Sequence, residues 1–251
     1  MSRILFVGQE TGGIGKSTIT RGLAEAVDGS TIIELESVHR LAEFTETNTA
    51  NVMSRVRWFP MRATRKDIEE SGGLAARAEL DPVINALYEA RIPTIVDIGA
   101  NQSASLFGVL PDIISDLRND DVEVGVIIVV ADETGSLADA SKLLHAARDW
   151  ASAKFVVANN VRGPVDRSMV DRIAGDAVVT TLRKFAFDAA TSAVLQASAL
   201  RGIRNIDRAV LIKEKTPAVA TRILKDLAAF RLAVMEAVKP AALWLAGEDN
   251  A

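Results

Sequence analysis

A short apolar run, Ile4 to Val7, passes through Gly8 into the glycine-rich stretch Thr11 to Thr18, TGGIGKST, which opens onto a segment of helical spacing, Ser17 to Val27. This order constrains the fold more than any other feature. A buried strand followed by a glycine turn delivers several backbone N–H groups to one point at the start of a helix. Thr31 to Glu36 then reads as a second strand, entered from the turn Asp28-Gly29-Ser30, which closes a βαβ unit. Further strands are predicted at Thr94 to Ile98, Val122 to Val130, Lys154 to Ala158 and Ala177 to Leu182, with helical patterns between them, notably Ser136 to Trp150. Runs this apolar are expected of parallel strands covered on both faces. The expected class is therefore α/β: a three-layer α/β/α fold with a mostly parallel sheet, its ligand at the carboxyl ends of the strands.

At 251 residues, with no internal repeat or low-complexity tract, the chain is expected to form one domain over residues 1–251. The least regular stretch, Arg40 to Ala63, reads as an insertion. Near the other end Thr216 is a predicted N-cap with Pro217 at the first helical position, and Val219, Ile223, Leu227, Phe230, Val234 and Val238 form a stripe. Pro240 is predicted to stop this helix, giving bounds of about 217–239. The absence of cysteine excludes a disulfide framework, thiolate catalysis and Cys-ligated metals. A single Arg3 before a short apolar run lacks the shape of a signal peptide, and the most apolar stretch, Val124 to Ala131, is too short to span a bilayer. A cytoplasmic location is expected.

Within the glycine-rich stretch, Gly12, Gly13 and Gly15 supply the turn, with Thr11 and Ile14 completing the loop. Lys16 places an ammonium on the β- and γ-phosphates of a nucleoside triphosphate, and the Ser17 hydroxyl is positioned to ligate Mg²⁺. Thr18 reaches the α-phosphate. The pattern G-x-x-x-x-G-K-[ST] asks for glycine at position 10, where this chain has Glu10. Thr94 to Asp97 is an apolar strand ending in a carboxylate that can hold Mg²⁺ through a water. Glu34-Leu35-Glu36 ends the second strand, and period-2 alternation puts both carboxylates on one side, where one is a candidate to orient an attacking water. A solvated strand end reads equally well for that pair. ATP and Mg²⁺ are the implied ligands, and the N-K-x-D guanine signature is absent.

At these residues the chain resembles a known family. TGGIGKST resembles the deviant Walker A box of the ParA/MinD superfamily, K-G-G-x-G-K-[ST]; ELES falls where that family has D-x-D, and VDIGA where it has its Walker B and switch II segment. The most similar subgroup is the plasmid-stability and conjugal-transfer proteins of the StbB and TraL type. There an Asp-x-Gly-Ala run like Asp97 to Ala100, and an Asn followed by Gly-Pro like Asn159 to Pro164, recur. The resemblance implies a P-loop NTPase fold and an ATP-binding, slowly hydrolysing switch protein in plasmid partition or conjugal DNA transfer. It gives Lys16 the phosphates, Ser17 and Asp97 the magnesium, Glu36 the catalytic aspartate's place, and Asn159 the place of an asparagine that contacts adenine. As partners it implies a nucleotide-dependent homodimer and an adaptor or DNA-binding protein. Thr11 departs from the signature lysine that crosses an ATP-sandwiched dimer. Glu36 adds a methylene where water positioning is strict, so slow hydrolysis is expected. Two other readings stay open: an ATP-dependent ligase resembling dethiobiotin synthetase, and a nucleotide-binding regulatory module without turnover.

Three surface features have less definite readings. From Arg162 to Arg231 there are 13 Lys/Arg against 7 Asp/Glu, which offers DNA a contact or merely solvates helices. Arg55, Arg57, Arg62, Arg65 and Lys66, with Trp58 and Phe59 among them, form either a nucleic-acid surface or a solvated insertion. The C-terminal stripe is read as ordinary packing or an oligomer contact rather than membrane docking, because of its interior Asp226 and Glu236 and the acidic end Glu248-Asp249. His39 and His145 lack metal-ligand spacing and read as structural.

Overall fold

The computed structural model describes residues 2–45, 55–61 and 74–248. Strands β1 (Ser2–Gly8), β2 (Thr31–Leu35), β3 (Val56–Phe59), β4 (Thr94–Ile98), β5 (Val122–Val130), β6 (Ala153–Asn159) and β7 (Val178–Leu182) form one sheet. Its order is β3-β2-β4-β1-β5-β6-β7, and every pairing is parallel. The described helices are α1 (Lys16–Ala26), α2 (Leu74–Tyr88), α3 (Ser103–Asn119), α4 (Thr134–Ala147), α5 (Arg167–Ala174), α6 (Ala189–Gly202), α7 (Arg208–Glu214) and α8 (Pro217–Ala246).

Strand alternation divides the core into two layers. Ile4 and Phe6 of β1 face a cluster with Leu106 and Phe107 of α3 and Leu143 of α4, while Leu5 and Val7 face Ile19 and Leu23 of α1 and Val234 and Val238 of α8. Burial on both faces explains why these strands read as continuous apolar runs. The chain leaves β1 toward β2, returns to β4 between them, and then crosses to β5, so the loops after β1, β2 and β4 converge at one end of the sheet.

Two sequence expectations are corrected. The segment Arg40 to Ala63 is more than an insertion, because it contains edge strand β3. Arg57 and Trp58 are exposed there, so the strand lacks the apolar pattern of its neighbours, as edge strands do. Pro240 does not stop the last helix, which runs on to Ala246 and ends at Gly247, φ 81°. Proline removes one backbone hydrogen bond, but Ala241, Trp244 and Leu245 beyond it are buried in the same core as Val234. Trp244 fills the space over Gly125, where a Cβ would meet its ring at 2.7 Å.

In the basic aromatic segment Arg55 and Arg57 have partners within the chain. Arg55 donates to the carbonyls of Ser30 at 3.0 Å and Ala24 at 3.2 Å, closing the end of α1, and Arg57 pairs with Glu89 at 2.6 Å. Arg62, Arg65 and Lys66 lie outside the described residues. In the basic C-terminal part, Arg167 pairs with Asp171, Arg222 with Asp188, and Arg231 with Glu25. The apolar stripe of α8 is core, with Ala220, Ile223, Leu227 and Val234 fully buried.

Candidate functional site

After β1 the chain turns through Gln9 to Gly15 before α1 begins at Lys16. Gly13 and Gly15 have φ of 70° and 95°, the left-handed region that side chains with a Cβ avoid. α1 therefore starts at this loop, with the N–H groups of Thr18 and Ile19 donating to the Gly15 carbonyl at 3.0 and 3.1 Å and those of Lys16 and Ser17 at the open end of the helix. Lys16 folds back across it, its Nζ donating to the carbonyls of Gln9 at 3.0 Å and Thr11 at 3.1 Å. Burial lowers the pKa of this ammonium, and Asp97, Glu36 and Glu10 oppose that effect.

Glu10, which departs from the glycine of the common pattern, has a structural task. Its Oε1 accepts from the backbone N–H of Ala104 at 2.6 Å, capping α3 from outside the helix. Gln9 beside it is fully buried: its backbone N–H donates to Ser103 Oγ at 3.0 Å and its side-chain amide to the carbonyls of Val129 and Ser136 at 3.1 and 2.9 Å. The loop is thus fastened to the starts of α3 and α4. None of Gln9, Ser103 or Ser136 is visible as a site residue in sequence, because single polar residues at helix starts carry no spacing.

Asp97 sits near the tip of β4, level with Val7 on one side and Glu34 on the other. Thr20 Oγ1 donates to its Oδ1 at 2.8 Å, and the Ser17 hydroxyl also bonds to it. Burial pushes its pKa up to about 6, against the two hydroxyls and Lys16, with Glu34 adding to the rise. The Ser17–Asp97 contact suits a divalent cation bound by a hydroxyl and, through water, a carboxylate. No group of three His, Cys, Asp or Glu among the described residues could hold a metal alone, so Mg²⁺ would share its ligands with phosphate oxygens.

The two carboxylates that alternation puts on one side differ in burial. Glu34 is fully buried and accepts from His39 Nδ1 at 2.5 Å and from the backbone N–H of Arg40 at 2.6 Å. Glu36, just past β2, lines the cleft and pairs with Arg40 at 3.4 Å. Both carboxylates thus meet Arg40, one at its backbone and one at its side chain.

A cleft of about 480 Å³ runs along Gly12, Gly13, Gly15, Lys16, Ser17 and Thr18, past Glu36 and Asn159. Its far end is aromatic, and sequence reasoning does not find it. Phe185 and Phe187 follow β7 and meet Phe230 of α8 with ring centroids 5.2 and 5.5 Å away, and the Arg183 guanidinium lies 4.6 Å over Phe185. The alternating Phe185-Ala186-Phe187 was the available signal, but it reads as strand continuation, and Phe230 reads as helix stripe. Two predicted residues act from beneath the loop. Asn159 Nδ2 donates to the Ile14 carbonyl at 2.7 Å and its Oδ1 accepts from Val161 N–H at 3.2 Å, while the Ile14 side chain is fully buried in the core. Thr11 contributes its carbonyl to Lys16.

Gly15 is the position least tolerant of a side chain, since a Cβ there would meet Asn159 Nδ2 at 2.4 Å. Gly15→Ala is expected to lower stability by about 1–3 kcal/mol in urea unfolding. It should also displace Asn159, weakening nucleotide binding beyond what the stability loss accounts for.

No protein-family model matches the chain, and no curated protein does. Among solved structures it is similar to an McdA–ATP complex from Cyanothece, at 11% identity and TM-score 0.47 over 93% of this chain and 96% of that one. It is also similar to the cell-division protein MinD of Aquifex aeolicus, at 14% identity and TM-score 0.44 over 91% and 96%. A plasmid partition protein from Borrelia burgdorferi is similar at 14% identity and TM-score 0.43 over 91% and 97%. The functional reading rests on the site itself.

Proposed function

We propose that residues 1–251 form one P-loop ATPase domain of the ParA/MinD kind: an ATP-binding, slowly hydrolysing switch in plasmid stability, partition or conjugal DNA transfer, as in StbB- and TraL-type proteins. The observation that carries the nucleotide reading is the one cleft joining the Gly12 to Thr18 loop to the aromatic end at Phe185, Phe187 and Phe230. An end rich in N–H groups with a lysine suits phosphates, and an aromatic end suits a base. The plasmid role rests on the resemblance in sequence.

In this reading Lys16 and the first N–H groups of α1 bind the β- and γ-phosphates. Ser17 and Asp97 hold Mg²⁺, which when bound neutralises charge on the phosphate oxygens. Water attacks the γ-phosphorus, its proton passes to Glu36, and the bond to the β–γ bridging oxygen breaks, releasing ADP and inorganic phosphate. Asn159 serves the nucleotide by bracing the loop, with its remaining amide hydrogen available to adenine. Switching follows from contact between the two carboxylate loops: Gly99 N–H donates to the Leu35 carbonyl at 2.6 Å, and a Cβ on Gly99 would meet that oxygen at 2.7 Å. A change at Glu36 therefore reaches the segment from Asp97 to Gln102. Nucleotide-dependent dimers and an adaptor or DNA-binding partner would read that state. Among the described residues no helix is long and apolar enough to cross a membrane.

The pairing of Glu36 with Arg40 favours one second reading, a nucleotide-binding module without turnover, because it occupies the carboxylate. Phosphate release by purified protein with Mg²⁺·ATP, with light scattering in a non-hydrolysable analogue, decides between them. Slow release with a rise in mass is the expected result. Tight binding with background release selects the module, and failure to bind ATP ends both readings.

A further inference from the structure

Arg40 lines the cleft, and its main chain is clamped at both ends by side chains. Its N–H donates to Glu34 Oε1 at 2.6 Å, and its carbonyl accepts from Arg21 Nη2 at 2.7 Å. Glu34 is fully buried and also bound by His39, whose ring stacks on Trp58 at 5.3 Å between centroids and 12° between planes. Arg21 is itself held by Glu43 at 2.5 Å. The backbone position is thus fixed from β2, β3 and α1, which leaves the side chain as the element free to move.

The guanidinium lines the same cleft as Lys16 and Glu36, is 57% exposed, and meets Glu36 Oε2 through Nε at 3.4 Å. Its charge also acts on Lys16, which lines the same cleft. Glu36, Asp97 and Glu10 act on the lysine, while Glu36 alone is paired with the arginine, so a phosphate in the cleft would compete with Glu36 for Arg40. A guanidinium offers such an anion two parallel N–H donors, a geometry matched by phosphate oxygens.

We propose that Arg40 binds the terminal phosphate of the triphosphate from within the same chain, exchanging its pair with Glu36 for the γ-phosphate and thereby releasing the Glu36 carboxylate. The proposal rests on the nucleotide reading above and adds a residue to it. It supplies a positive charge from this chain at a site where Thr11 offers none. It also makes the loop from Glu36 to Arg40 a detector of the third phosphate, since a diphosphate ends short of it. Trp58 Nε1 donates to the Glu36 carbonyl at 2.7 Å, so the same loop carries its own optical probe. The chain's other tryptophans, Trp150 and Trp244, are buried.

The test is titration of the full chain with Mg²⁺·ADP and Mg²⁺·ATPγS, for wild type, Arg40→Ala and Arg40→Lys, read by calorimetry and by tryptophan fluorescence. Expected is a loss of about tenfold or more in ATPγS affinity in Arg40→Ala, with ADP affinity within about twofold of wild type. Arg40→Lys should recover part of the loss, and the fluorescence change specific to ATPγS should vanish in Arg40→Ala. Because the side chain is exposed, the variant should fold. Equal ATPγS binding in wild type and Arg40→Ala overturns the assignment while leaving the nucleotide site intact, and so does an equal loss for both nucleotides. Wild-type protein that binds neither nucleotide overturns the nucleotide reading, and the role of Arg40 with it.

Discussion

Lys16→Ala is expected to weaken Mg²⁺·ATP binding by about a hundredfold or more, so that calorimetry at micromolar protein detects no saturable heat. The lysine is 8% exposed, and its Nζ sits across the loop on two carbonyls, already oriented and partly desolvated before any phosphate arrives. Truncating one partner of a desolvated, hydrogen-bonded charge pair costs about 2–5 kcal/mol, much of it from the partner left without its counter-charge. Here that partner is the β,γ-phosphate pair. Folding should survive, because the ammonium bonds only to carbonyls of its own loop and the aliphatic stem is a small part of the core. If Lys16→Ala binds ATP as wild type does, the loop is a structural turn and the phosphate assignment is wrong.

Asp97→Asn is expected to make the protein more stable at pH 7.5 while abolishing ATP hydrolysis. The carboxyl has its pKa pushed up to about 6 from 3.8, chiefly by burial. Well below pH 3.8 it is protonated in the folded and unfolded chain alike, and folding loses nothing. Between 3.8 and about 6 the unfolded chain ionises first, so stability falls as pH rises through this window, and above it the full loss of about 3 kcal/mol is present. Asparagine keeps polar partners for Thr20 and Ser17 without the charge. The variant should therefore exceed wild type by about 1–3 kcal/mol in urea unfolding at pH 7.5, with the difference closing toward pH 4. The lower end allows for the lost attraction to Lys16. A variant less stable than wild type at pH 7.5 would show instead that Lys16 and the hydroxyls fully satisfy the carboxylate. Keeping a costly charge at this position is what a cation-binding role predicts, since Mg²⁺ would stabilise the ionised form.

The parts of the site that could be read along the chain are those whose chemistry depends on adjacency. Gly12 to Thr18 is contiguous, and a glycine turn between strand and helix places its groups by local geometry alone. Asp97 was legible because a strand's end is marked by the loss of apolar residues. Asn159 was found for its place at a strand end, but its task in the structure, holding the Ile14 carbonyl, follows from β6 lying beside the loop. Glu34 and Glu36 show the limit of periodicity: it puts both on one side, where both meet Arg40, but does not tell the buried carboxylate from the one lining the cleft. Pro240 shows a local rule overridden by burial, because the core beyond it outweighs one missing hydrogen bond.

By itself the sequence determined the three-layer α/β class, the glycine loop between strand and helix, and the strand-end carboxylate, because hydrophobic period and glycine placement act over a few residues. Only the tertiary structure decided which carboxylate faces the cleft, that Arg40 lines it together with Lys16, and that Phe185, Phe187 and Phe230 do so as well. Those pairings join β2 to α1 and β7 to α8. Contacts between elements distant in the chain depend on sheet order and helix packing, which leave no spacing to read.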